Sequence, residues 1–163
     1  MAMSPQAAIA MAGLLNEEVR EVDALVALLR QEQELLAIAG SGDALIPLVE
    51  RKTGYIVRLK TLSDRREQML RAAGYGAGRA GMEAWLGGVA RNDTARPLWQ
   101  KLLALAADAR QLNDTNGKLI ALHWQHNQAA LATLMSAANR ATTYGPDGQQ
   151  NGGGRGGRSF GSA

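Results

Sequence analysis

Residues 15–36 read LNEEVREVDALVALLRQEQELL, and the spacing of the apolar residues in this stretch decides the fold class. Leu15, Val19, Val22, Val26, Leu29 and Leu36 follow intervals of three and four, with Gln33 the one polar member. That period sets them on one stripe of an α-helix. Leu14, Leu25, Leu28 and Leu35 widen the stripe, enough for the helix to meet two partners. Upstream, Ser4 can cap the helix, and Pro5 suits its first position because the missing N–H would be unpaired there anyway. Downstream, Gly40-Ser41-Gly42 ends it, since glycine readily takes the left-handed conformation of a helix terminus. The helix is predicted over residues 5–39.

A second helix is predicted over 43–73, with Pro47 early, where proline disturbs least. Its stripe is Leu45, Leu48, Lys52, Tyr55, Leu59, Leu62, Arg66, Met69 and Ala73. Lys52 and Arg66 fall on seam positions, where alkyl stems cover apolar surface while the charged heads reach acids of the first helix. Polar seam residues fix register and lower stability somewhat. The charge pattern agrees. Residues 17–34 hold six acids and two bases, and residues 43–71 hold four acids and seven bases. Two adjacent segments of opposite sign read as the arms of an antiparallel hairpin.

Residues 74–81 read as a loose glycine-rich break. A short helix is predicted over 82–90, with Met82, Trp85, Leu86 and Val89 on one side and the helix-weakening pair Gly87-Gly88 inside it. Asn92-Asp93-Thr94 then opens the last long helix, predicted over 97–139, with Pro97 in its first turn. Its first stripe is Leu98, Leu102, Leu105, Ala109, Leu112, Asn116 and Leu119. The pattern then shifts by one residue to Ile120, Trp124, Asn127, Leu131 and Leu134, which turns the apolar face partway around the helix. Asn116-Gly117 is locally a turn signal, yet the periodicity runs through it. A glycine inside a helix costs roughly 1 kcal/mol relative to alanine, and its missing side chain lets another backbone come close. From residue 141 the chain reads as disordered, with eight of its 19 glycines in the last 23 residues. Tyr144 and Phe160 are candidate docking points in that tail.

The expected architecture is therefore all-α. A long antiparallel helical hairpin packs with a third long helix, through one short connecting helix, and a disordered C-terminal tail follows. Residues 1–140 form the helical domain and 141–163 the flexible tail.

Composition limits the function classes. Hydrophobic residues make up 46% and aromatics 4% of the 163 residues, a leucine- and alanine-rich balance that suits helix packing. There is no cysteine, which removes disulfides, thiolate metal sites and cysteine nucleophiles and fits a reducing compartment. A net charge of +3 is small for a nucleic-acid binder. Residues 1–16 lack the basic start of a signal peptide. The uncharged stretch 119–139 contains His123, Gln125, His126, Asn127, Gln128 and Asn139, too polar to span a bilayer. The expectation is a cytoplasmic protein with no stable membrane insertion.

Catalytic chemistry is missing from the pattern. There is no nucleophile, base and orienter set to propose, so no catalytic residues, no metal and no cofactor are expected. His123 and His126 are three apart on a helix, but with no cysteine and no acid nearby they read as polar or interface histidines. Residues 152–158, GGGRGGR, resemble an arginine–glycine nucleic-acid segment. With two arginines they read as a solvated linker. Residues 74–81 lack a P-loop lysine and follow no strand. Glu17 and Glu18 read as a solvated helix face. Trp85 and Trp99 read as core, and Trp124 as a contact residue or a core residue, since exposed aromatics are favoured interface anchors.

Three motifs in the last third carry a resemblance. They are Asn113-x-x-Asn116-Gly117-x-Leu119-Ile120, then Asn127-Gln128-x-Ala130-Leu131-x-x-Leu134, then Tyr144-Gly145-x-Asp147-Gly148-Gln149. With the hairpin carrying Glu32, the Lys52 segment, Leu62 to Arg66, and Trp85, the chain resembles the FlgN family of flagellar export chaperones over nearly its whole length. The alanine-rich start and the glycine–arginine end are not part of that pattern. The resemblance implies a non-enzymatic cytoplasmic chaperone. Its clients would be the two hook–filament junction proteins, the hook-associated proteins, bound by their C-terminal helical regions, kept unassembled and escorted to the flagellar type III export apparatus. It implies a client-binding segment comprising Asn113, Asn116, Gly117, Leu119, Ile120, Trp124, Leu131 and Leu134. It implies that Tyr144 docks on the export gate, with the export ATPase complex a further candidate partner. Two other classes stay open at this stage. One is a helical scaffold that self-associates through the same stripes, and the other a nucleic-acid binder using Arg155 and Arg158.

Overall fold

The computed structural model describes residues 4–88 and 94–143. The described residues form four helices, α1 (Pro5–Leu36), α2 (Gly42–Ala72), α3 (Gly78–Gly88) and α4 (Ala95–Thr143), as the all-α expectation required. They divide into two units, one ending at Ile120 and one starting at Ala121. The first holds the hairpin, the short helix and the opening half of α4. The second is the remainder of α4.

In the first unit, α1 is capped as its sequence predicts, Ser4 accepting from the N–H of Ala7. It ends three residues earlier than expected, at Leu36 and not at residue 39. The Ser41 hydroxyl donates to the carbonyl of Leu35 at 2.5 Å, and Gly40 takes φ +79° three residues beyond the cap, Ala37. These contacts occupy the carbonyl end of the helix and turn the chain.

Antiparallel pairing of α1 and α2 is fixed by three ion pairs. Glu32 meets Lys52 at 2.6 Å, Glu21 meets Arg58 at 2.8 Å, and Glu18 meets Arg66 at 2.9 Å. Positions fall along α1 as they rise along α2. Lys52 and Arg66 thus reach acids of α1 from the seam, as their spacing predicts. Glu18 corrects the sequence reading. It is buried beneath Arg66, while its neighbour Glu17 is exposed. Consecutive helical residues point about 100° apart, so one can lie at the seam and the next in water. Burial raises the Glu18 pKa above the ordinary carboxylate range. The charge and hydrogen bond of Arg66 pull it back, and Glu67 adds a smaller upward push. On α2 the fully buried residue near the C-terminus is Leu70, one place after the predicted Met69, which is partly covered.

The glycine-rich break is a built turn. Gly74 and Gly78 hold φ +82° and +70°, the Tyr75 N–H donates to Leu70 at 2.9 Å, and the Gly78 N–H donates to both oxygens of Glu67. That carboxylate sits at the N-terminal end of α3, where the helix dipole and unpaired N–H groups favour an anion. It draws the start of α3 back from the expected residue 82 to Gly78. Gly81 is required here, because a Cβ would collide with the backbone carbonyl of Gly76. Val89 and the opening Asn92-Asp93 lie outside the described residues.

Trp85, Met82 and Leu86 of α3 are buried with Met11, Leu15, Val19 and Val22 of α1 in one core, which Trp99 and Leu102 of α4 complete. Trp85 and Trp99 are core, as expected. Arg66 lies 5.2 Å from the Trp99 ring centre, so the cation paired with Glu18 also covers an aromatic face. With Trp99 level with Glu18 and Asn116 level with Glu32, α4 runs parallel to α1. It starts two residues before the predicted Pro97 and continues to Thr143, four beyond the predicted end.

Candidate protein-interaction face

The stripe that α4 lays against the hairpin is Ala95, Trp99, Leu102, Leu105, Ala109, Leu112 and Asn116, each buried or half-buried. Asn116 closes it at 1% exposure. Its Nδ2 donates to the carbonyl of Leu29 at 2.9 Å and to Oε2 of Glu32 at 2.8 Å. Both of these partners are acceptors, which fixes the orientation of the amide. Glu32, itself 2% exposed, takes Lys52 on its other oxygen. One carboxylate of α1 therefore ties down α2 and α4 together.

Beyond Asn116 the apolar spacing goes on while the burial stops. Ile120 is 46% exposed, Trp124 64%, Leu131 52% and Leu134 67%, and every residue from 121 to 143 is exposed. The intervals 112–116–120–124 are three consecutive fours, a twelve-residue advance that slightly overshoots three turns. They carry the periodicity from the packed stripe to the open one through Asn116 itself. Leu122 and Met135, at 50% and 60% exposure, belong to the open half as well and were not among the sequence-derived residues. Met135 is four residues after Leu131 and extends that row.

The eight residues singled out in the sequence thus occupy different positions. Ile120, Trp124, Leu131 and Leu134 share exposure on one helix. Asn113 and Gly117 are exposed polar or bare positions beside them, and Leu119 is half-buried. Asn116 is enclosed by the fold. Among the described residues a Cβ added at Gly117 would meet nothing within 4 Å, so no described backbone requires the glycine. Tyr144 and the rest of the tail lie outside the described residues.

Elsewhere, α2 carries an exposed row of Ile46, Val49, Ile56 and Val57 on the side away from its seam. The sequence reading missed it because the seam stripe accounted for the helix. His123 and His126 are exposed, and among the described residues no group of three His, Asp or Glu side chains is placed to hold a metal. No described helix is long and apolar enough to cross a membrane.

Residues 3–152 match the family described as FlgN protein. The chain belongs to the FlgN family. The flagella synthesis protein FlgN of Yersinia enterocolitica is 28% identical over 148 residues, covering 90% of this chain and 93% of its own. The protein of the same description from the serotype O:8 / biotype 1B strain is related to the same extent. No solved structure matches. The FlgN match spans both the hairpin and the open half of α4, so the packed and the exposed stripes lie inside one family region.

Proposed function

We propose that this chain is a cytoplasmic chaperone of flagella synthesis, which binds the C-terminal helical regions of hook-associated proteins, keeps them from assembling early, and escorts them to the flagellar type III export apparatus. The observation that carries this reading is the run of large apolar side chains on α4 after Asn116 that nothing in the described chain covers. A contiguous exposed apolar patch on a water-soluble chain marks a binding surface. A helix face of this kind takes a partner helix through anchors at three- and four-residue intervals. Ile120, Trp124, Leu131 and Leu134 are those anchors. Leu119, Asn113 and Gly117 border them, and Asn116 holds the helix at its level against the hairpin. Binding, not bond-making, is the activity, and it needs no cofactor. Tyr144, beyond the helix, serves as the contact to the export gate.

The deciding experiment is size-exclusion chromatography with light scattering on this protein mixed with a purified hook-associated protein from the same organism. The mixture is repeated with that client lacking its C-terminal helix. A discrete complex that disappears on truncation is expected. Absence of a complex with the intact client would sink the reading.

A further inference from the structure

The hairpin has two sides, and α3 and α4 fill one of them, packing where Leu15, Val19 and Leu29 are buried. Gly13 and Glu17 stand two positions either side of Leu15, so at about 100° per residue they point away from that core. There α1 and α2 enclose a valley of two adjoining hollows, about 560 and 380 Å³ in volume. In the first, Ala10, Gly13 and Leu14 of α1 meet Met69 and Ala72 of α2. Glu17 and Arg65 belong to both hollows, and among the described residues none of α3 or α4 lines either.

The charges of the valley are arranged for a visitor. Arg20 of α1 and Arg65 of α2 line the second hollow from opposite walls. Both are exposed, as is Glu17, and none of the three has an ion pair among the described residues. At the far end Arg58 is already engaged, bridging to Glu21 at 2.8 Å and lying 4.6 Å from the Tyr55 ring centre. The free charge is therefore two cations and one anion. Large apolar side chains mark the two ends, Ile9 beside Ala10 at 72% exposure and Val57 at 61%. Between them Gly13 weakens α1, as glycine does inside a helix. Yet a Cβ there would meet nothing within 4 Å among the described residues. The bare position suits an approach from outside the chain.

We propose that this valley holds an amphipathic helix of a partner protein. That helix carries apolar residues at three- and four-residue intervals, an acid on each flank to reach Arg20 and Arg65, and a base one turn on to reach Glu17. Ala10 to Arg20 spans about 15 Å at 1.5 Å per residue, room for about three turns. Apolar anchors in such a groove supply affinity, and the opposed charges select the partner. The valley shares no residue with the client face of α4, so it is a second protein contact with its own chemistry.

Fluorescence anisotropy on the full-length chain tests this with two short labelled peptides, each stapled into a helix on its outward side. Both carry Leu and Ala at three- and four-residue intervals, one with Glu on its flanks and the other with Lys. The Glu-flanked peptide is expected to bind about tenfold more tightly or better. Gly13→Gln, which sets a long side chain in the valley, is expected to abolish binding. Arg20→Glu combined with Arg65→Glu is expected to reverse the preference, a gain for the Lys-flanked peptide that loss of folding cannot produce. Val49→Asp, on the outer row of α2, is expected to leave binding in place. Failure of both peptides to bind, binding indifferent to Gly13→Gln, or an unchanged preference in the double variant would overturn the proposal. Loss of peptide binding in Trp124→Ala or Val49→Asp would overturn it too, by placing the peptide on another apolar face. Phosphatidylglycerol vesicles are the other occupant tried. Vesicle binding that Gly13→Gln removes would make the valley a lipid contact and overturn the assignment to a helix.

Discussion

The side-chain amide of Asn116 lies 2.8 Å from Oε2 of Glu32, a residue 84 positions earlier in the chain. This hydrogen bond stands where the packed stripe of α4 gives way to the open one. Both side chains are buried, so losing either leaves a polar group enclosed without a partner. Asn116→Leu and Glu32→Gln are each expected to lower stability by about 2 kcal/mol, with a double-mutant coupling of roughly 1 kcal/mol or more. Urea unfolding of the four chains measures this. Strict additivity would mean that the bond does not form in solution.

The Glu18–Arg66 pair yields a pH dependence with a definite sign. Burial raises the folded pKa of Glu18, with Arg66 opposing. A carboxyl that binds its proton more tightly folded than unfolded contributes stability that is fully present below the ordinary carboxylate pKa. That contribution is lost as pH rises through the raised folded value. The melting temperature of the natural chain is therefore expected to gain on that of Glu18→Gln as pH falls from neutral into the carboxylate range. A gap that stays constant, or moves the other way, would show that Glu18 is not buried with its pKa raised.

Gly117 separates stability from binding. Since an added Cβ meets nothing within 4 Å, Gly117→Ala is expected to stabilise the helix by about 1 kcal/mol. For a chain of this size that is a rise of about 2–4 °C in melting temperature. The same substitution is expected to weaken client binding, since a docked helix would approach the chaperone most closely at its bare position. Stabilisation with unchanged client affinity would remove Gly117 from the binding face.

Trp124→Ala and Leu119→Asp are expected to reduce client affinity by about tenfold or more while the hairpin keeps its unfolding midpoint, because hot spots of this kind are aromatic and apolar anchors. Tyr144→Ala is expected to leave client affinity alone and reduce export of the client. Isothermal titration and a secretion assay read the two effects. Loss of client binding in Tyr144→Ala would move that tyrosine from the gate contact to the client contact.

Much of this was legible in the sequence, for identifiable reasons. The three-and-four spacing of Leu15 to Leu36 specified the buried stripe of α1, and the opposite charge of adjacent segments specified the hairpin. Lys52 and Arg66 reach acids of α1 from the seam as their positions implied. Glu18 was misread because one carboxylate in an acidic run looks like its neighbours until the Arg66 opposite is known. The glycines from 74 to 81 looked loose because a tight turn and a flexible linker use the same residue. The Gly81 contact with Gly76 and the Glu67 carboxylate at the head of α3 are tertiary facts. Asn116 was found by its motif, but its enclosure was not, because an asparagine on a stripe can equally meet solvent, a client or the buried Glu32.

The exposure of every residue from Ala121 to Thr143 also has a kinetic consequence. Backbone amides in that stretch are shielded by their own helical turns alone, so they should trade hydrogen for deuterium as an isolated helix does. Those of Leu15 or Leu29 should wait for global opening. An occupant on the face would close that difference. Isotope uptake between 121 and 143 would then record, amide by amide, how long each occupant stays and how far along the helix its cover extends.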